Sequence, residues 1–103
     1  MIEIKRPPTH PGKILKEDFL IPMGMSQTEL ADRLGIAFRT VNEILNEKRG
    51  ISPEMAVRLS RFFGTSEELW LNLQDQYYLY RVKEKKGEVL RKITPYKELK
   101  KTA

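Results

Sequence analysis

Between residues 27 and 46 the chain reads QTELADRLGIAFRTVNEILN, and two small residues in this run restrict the fold more than any other feature of the sequence. Ala31 falls midway along a first helical stretch, where a larger side chain would hold a second helix away. Gly35 falls in the turn, where a residue without Cβ can take positive φ. Leu30, Leu34, Ile36, Val41 and Ile44 supply an apolar face shared by the two stretches. Ser26, with Glu29 three residues on, forms an S-x-x-E capping box that fixes the first helix start. The pattern predicts two short helices packed across a tight turn, the geometry of a helix-turn-helix over residues 26–46.

With Val41, Ile44 and Leu45 turned inward, the second helix leaves Phe38, Arg39, Thr40, Asn42 and Glu43 free to meet a partner. A helix in this position enters the DNA major groove by its N-terminal part. There Arg pairs with guanine O6 and N7, Glu accepts from cytosine N4, and apolar groups touch the thymine methyl. Phe38 and Arg39 are therefore the main candidates for base contact, with Thr40 and Glu43 behind them. Gln27, Asn46, Lys48 and Arg49 flank the groove and are expected to grip phosphates. The competing reading makes Arg39 and Glu43 a solvated i, i+4 ion pair. It serves Phe38 less well, because an aromatic on the polar side of a short helix needs a partner or partial burial.

A chain of 103 residues supports one small domain, and with no cysteine its stability comes from packing alone, without disulfides or thiolate metal sites. No stretch approaches the ~20 apolar residues of a membrane span, and MIEIKRPP lacks a signal peptide's apolar region, so a soluble, cytoplasmic protein is expected. Residues 1–76 hold 10 Lys and Arg against 11 Asp and Glu, whereas residues 77–103 hold 9 against 3. The basic surplus thus lies in the tail. It reads as an arm attracted to phosphate or to an acidic protein, or as a solubilising end.

Elsewhere the helices are well punctuated. Thr9 or His10 caps a helix that takes Pro11 in its first turn, buries Ile14, Leu15, Phe19 and Leu20, and is expected to stop at Pro22 and Gly24. Ser52-Pro53-Glu54 starts a fourth helix with Ala56, Leu59, Phe62 and Phe63 inward and Gly64 as its stop. Thr65 and Ser66 open a fifth, with Leu69, Trp70, Leu73, Tyr77 and Tyr80 along a near-helical stripe reaching to about Lys85. Beyond Gly87 the pattern weakens, and Glu88-Val89-Leu90 with Ile93, Pro95 and Tyr96 suggests a strand-like or irregular segment. Residues 1–85 are read as the domain. Residues 86–103 are read as a basic, partly disordered tail with a solvated Lys-Lys-Thr-Ala end.

An enzyme is the competing class and finds little support. His10 is the only histidine and sits at a helix start, where it caps or packs, and Glu17-Asp18 and Glu67-Glu68 are neighbours on helices whose side chains diverge. There is no glycine-rich phosphate loop and no metal-ligand cluster, so neither cofactor nor small-molecule ligand is expected. RNA binding would call for paired aromatics among basic residues on a stacking platform, which the sequence lacks.

Five segments taken together resemble the HigA family of addiction-module antitoxins over residues 8–82. They are Thr9-His10-Pro11-Gly12-Lys13-Ile14-Leu15, Met25-Ser26-Gln27-Thr28-Glu29-Leu30-Ala31, the run from Asn42 to Pro53, and Phe62-Phe63-Gly64-Thr65-Ser66 with Trp70-Leu71-Asn72-Leu73-Gln74. The resemblance implies an all-α, compact five-helix lambda-repressor-like domain of the Cro and repressor type. It also implies a homodimeric repressor of its own operon, on double-stranded operator DNA, that neutralises a RelE-like toxin cleaving messenger RNA. The alternative is a stand-alone helix-turn-helix regulator without a toxin. Ala37 departs from the Ser or Thr often found before the second helix, which removes a cap worth ~0.5–2 kcal/mol and a hydroxyl contact to phosphate. Dimerisation also follows from the groove reading, since two such helices ~34 Å apart match a palindrome. Trp70, Tyr77, Tyr78 and Tyr80 offer more aromatic surface than so small a domain easily buries, and part of it is expected to form the dimer or toxin interface. The competing reading places Trp70 and Tyr77 in the core.

Overall fold

Four helices of this chain begin where a side chain satisfies a backbone N–H group that has no partner within the helix. The computed structural model describes residues 7–102, with side chains to residue 99, so the expectation for the Lys-Lys-Thr-Ala end lies outside the described side chains. Helix α1, residues 11–23, is capped by His10, whose Nδ1 accepts from the Gly12 N–H at 2.9 Å. Helices α2 (Gln27–Leu34), α3 (Phe38–Leu45) and α4 (Pro53–Phe63) follow, and α5 runs over Glu67–Arg91. Ser26, Ser52 and Ser66 cap α2, α4 and α5, each accepting at 3.1 Å from the N–H three residues ahead. A short α6, Tyr96–Thr102, ends the described chain. The fold is the expected all-α one.

Three expectations need correction. Pro22 does not stop α1, which passes through it to Met23. The turns just before it, Leu15–Leu20, are wound as a wider π-helix, a form that relieves the clash of a proline ring with the preceding carbonyls. Gly24, at φ 64°, ends the helix, as expected of it. Of the segment expected to be strand-like or irregular, Glu88, Val89 and Leu90 are helical, because α5 continues to Arg91 with a kink at Lys86 (φ −119°, ψ 20°), whereas residues 92–95 are irregular as expected, and α6 starts just after Pro95. Phe62 points largely outward, leaving Phe63 to pack inward.

The core lies where α1 and α5 close over the α2, α3 and α4 trio. Leu15, Leu30, Val41, Ile44, Leu59 and Trp70 are buried, joined by Ile51 and Met55, which the helical patterns did not single out. The Phe19 ring stands 4.8 Å from Phe63 and 5.2 Å from Trp70, within the range of favourable aromatic pairs. Trp70 is wholly buried, and its indole N–H donates to Thr65 Oγ1 at 2.8 Å. It therefore belongs to the core, as the competing reading had it, rather than to a dimer or toxin surface. Among the described residues no helix is long and apolar enough to cross a membrane.

Candidate nucleic-acid interface

The turn between α2 and α3 is built around Gly35, at φ 69°, whose N–H reaches back to Asp32 O at 3.2 Å while that of Ile36 reaches Ala31 O at 3.0 Å. Arg58 of α4 reinforces it. Its guanidinium donates to the Leu34 carbonyl at 2.6 Å, satisfying a helix-end acceptor, and pairs with Glu54 at 3.3 Å. The sequence gives no local hint of this contact, which spans 24 positions.

With Val41, Ile44 and Leu45 buried, α3 turns its remaining residues outward as expected. Phe38 is half exposed, the Arg39 side chain is 87% exposed, and Thr40 is partly buried. Glu43 stands between two cations, 3.6 Å from Arg39 and 3.1 Å from Arg49, so the ion pair that competed with base contact is present and is joined by a second arginine. Ala37 offers no side-chain cap to α3, in keeping with its missing hydroxyl.

Behind this face runs a chain of amides. Asn42 Nδ2 donates to Gln27 Oε1 at 2.9 Å, and Asn46 Nδ2 donates to Asn42 Oδ1 at 3.1 Å. Gln27 is thus tied to α3 and helps set its angle to α2, with Asn42, expected among the residues facing a partner, as the link. Lys48 and Arg49 lie exposed in the loop after α3, which leaves the helix through Glu47 at φ 60°, a left-handed conformation uncommon outside glycine.

The far side of α3 rests on the His10-Pro11-Gly12 corner of α1, which in turn meets α5. His10 is buried, its ring edge-on to Tyr77 at 5.0 Å and to Tyr78 at 6.2 Å, and its Nε2 has no hydrogen-bond partner among the described residues. Burial pushes its imidazole below the ordinary value, against an upward pull from the Glu47 carboxylate. Between the folded and unfolded pKa values the unfolded chain therefore binds more protons, so stability rises with pH in that window. The contribution is complete above the ordinary imidazole value of about 6.5 and is lost as the pH falls through the folded one. Thermal melts from about pH 7 down to about pH 5 are expected to show this loss, and His10→Asn, which keeps a capping acceptor, is expected to flatten it. Equal pH dependence in the two proteins would remove the assignment.

Tyr77 is partly buried, and its hydroxyl accepts from Arg81 at 2.7 Å. Tyr78 and Tyr80 remain at the surface, the latter beside Glu84, whose hydrogen bond and charge raise its phenol pKa.

A small-residue crossing, a glycine turn and a second helix with one buried and one open face define a helix-turn-helix domain. The helix-turn-helix family HTH_3 matches over residues 15–70. Virulence-associated protein I of Dichelobacter nodosus is 42% identical over 83 residues, which cover 81% of this chain and 77% of the relative. Antitoxin HigA-1 of Vibrio cholerae is 32% identical over 95 residues, covering 92% and 90%. The solved Pseudomonas aeruginosa antitoxin HigA with higBA promoter superposes with a TM-score of 0.82 at 42% identity, over 86% of this chain and 98% of that one. The chain belongs to the helix-turn-helix family and, within it, to the HigA family.

Proposed function

We propose that this protein is a sequence-specific DNA-binding antitoxin that represses its own operon and neutralises a RelE-like, mRNA-cleaving toxin. The observation that carries the reading is the open face of α3, with Arg39 almost fully exposed beside Phe38, in a fold shared with a HigA antitoxin solved with its promoter. Arg39 and Phe38 meet base edges, with Thr40 and Glu43 behind them. Glu43 has a further task, since its carboxylate holds both Arg39 and Arg49 before DNA arrives. Gln27, Asn46, Lys48 and Arg49 contact phosphates on either side of the groove. A homodimer sets two α3 helices on a palindromic operator, with Tyr77, Tyr78 and Tyr80 available to the dimer or toxin interface. Residues 86–103 form a basic arm that adds sequence-independent attraction to DNA. No catalysis is assigned to the chain, and a cytoplasmic location follows from the DNA target.

The reading is tested by fluorescence anisotropy, titrating the protein onto the DNA upstream of its own gene and onto a scrambled duplex at two salt concentrations. The upstream duplex is expected to bind at least ~10³-fold more tightly. Equal, salt-sensitive affinity for both would mean that only basic residues engage phosphate, and would overturn the repressor reading. If a small basic gene lies beside this one, co-expression is expected to relieve the toxicity of its product. Failure there, with DNA selectivity intact, would leave a stand-alone regulator.

A further inference from the structure

The loop that carries Lys48 and Arg49 is held from outside by one side chain of α5. Gln74 Nε2 donates to the Ile51 carbonyl at 2.7 Å, and Gln74 Oε1 accepts from the N–H of that same residue. One amide thus matches both backbone groups of Ile51, as a neighbouring strand would. The match is needed because Ile51 is buried and lies outside any helix, so its N–H and C=O would otherwise be buried without partners.

Gly50 is the complement of Gln74. A Cβ at position 50 would overlap the Gln74 carboxamide oxygen and lie 3.2 Å from the Tyr78 hydroxyl, so any larger residue would displace the glutamine from its seat. At the other end of the loop, Lys48 N–H closes back onto Glu43 O at 2.8 Å and Glu47 turns the chain at φ 60°. Lys48 and Arg49 therefore project from a short span fixed at both ends, by the Glu47 turn and by the Gln74 pin. A free loop would have to be ordered when DNA binds, at the expense of affinity, and this pin orders it beforehand.

We propose that Gln74 is a positioning residue for DNA binding: without touching nucleic acid, it fixes the loop from which Lys48 and Arg49 reach the phosphates. The proposal rests on the DNA-binding reading above, and its test separates the two. Amide hydrogen exchange without DNA comes first. The Ile51 N–H is expected to be protected in the wild type and to exchange at least ~10-fold faster in Gln74→Leu, with the buried amides of α4 unchanged. Anisotropy then follows. Gln74→Leu is expected to bind native and scrambled duplexes ~10-fold more weakly, with sequence preference retained and the salt slope shallower by ~1 to 2. Gln74→Glu keeps the acceptor for the Ile51 N–H but sets a carboxylate oxygen against the Ile51 carbonyl, and is expected to weaken binding as well. In a Lys48→Ala, Arg49→Ala background, Gln74→Leu is expected to add no further loss. Unchanged Ile51 protection would overturn the proposal, as would an unchanged salt slope or an equal loss in the background lacking both cations. If the wild type showed no preference for its upstream DNA, the DNA reading and this role would fall together, while exchange would still report whether Gln74 holds the loop.

Discussion

Gly12→Ala is expected to lower the melting temperature by more than ~10 °C. Gly12 is buried where α1 crosses the end of α3. A Cβ there would overlap the Ile44 carbonyl oxygen, lie 2.8 Å from the Ile44 carbonyl carbon and 3.0 Å from His10 Nδ1. None of these is the loose end of a flexible side chain. The Ile44 carbonyl accepts from Glu47 N–H at 3.0 Å at the close of α3, and His10 is committed to capping α1. Relief therefore requires α1 to move off α3 as a body. Overpacking costs ~1–3 kcal/mol and sometimes more, and a collision of backbone with backbone sits at the upper end of that range. In a domain this small each kcal/mol is worth ~4–8 °C. Gly24→Ala is the natural comparison, because a Cβ at position 24 meets nothing within 4 Å and only its φ of 64° is strained; its loss should be nearer ~1 kcal/mol. If Gly12→Ala melted within about 3 °C of wild type, the close approach of α1 to α3 would be wrong.

The contrast between these two glycines also explains which parts of the fold could be read from sequence. Helix starts could, because capping is local chemistry: Ser26, Ser52 and Ser66 each act on an N–H three residues away. So could the crossing at Ala31 and Gly35 and the open face of α3, since a short amphipathic helix leaves little choice of what to bury. The close approach at Gly12 could not, because nothing nearby in the chain announces Ile44. The same holds for the other ties that shape the site. Asn42 to Gln27, Arg58 to Leu34 and Gln74 to Ile51 join residues 15, 24 and 23 positions apart, and each pairs a polar side chain with a group that only the fold brings near. Size alone left Trp70 divided between core and surface, and Phe19 of α1 and Phe63 of α4 bury it wholly. After residue 87 the apolar pattern weakens, yet the helix goes on to Arg91. Glycine only weakens a helix by ~1 kcal/mol, and Pro95 stands just before α6, where its carbonyl accepts the first helical N–H bonds.

Arg39→Ala should leave the fold intact and remove much of the sequence preference. The side chain is 87% exposed, and its 3.6 Å pair with Glu43 is of the exposed i, i+4 kind, worth ~0.3–0.5 kcal/mol at most, so melting should barely change. Binding is where the loss should appear. A bidentate arginine–guanine contact discriminates by ~1–3 kcal/mol, so affinity for the upstream duplex is expected to fall ~5- to 150-fold while the scrambled duplex loses little beyond one charge. Two-fold symmetry doubles the effect on a palindrome bound by both protomers, placing the combined loss toward the upper end or above it. Lys48→Ala should behave differently, weakening both duplexes alike and making the salt slope shallower by ~1. Removal of Arg39 also frees Glu43 to hold Arg49 alone, at 3.1 Å, so the phosphate contact at position 49 should become harder to form rather than easier. Anisotropy on both duplexes at two salt concentrations separates these effects. An Arg39→Ala protein that kept its full native-to-scrambled ratio would move base recognition off the N-terminal turn of α3, and Phe38 and Thr40 would be next to change.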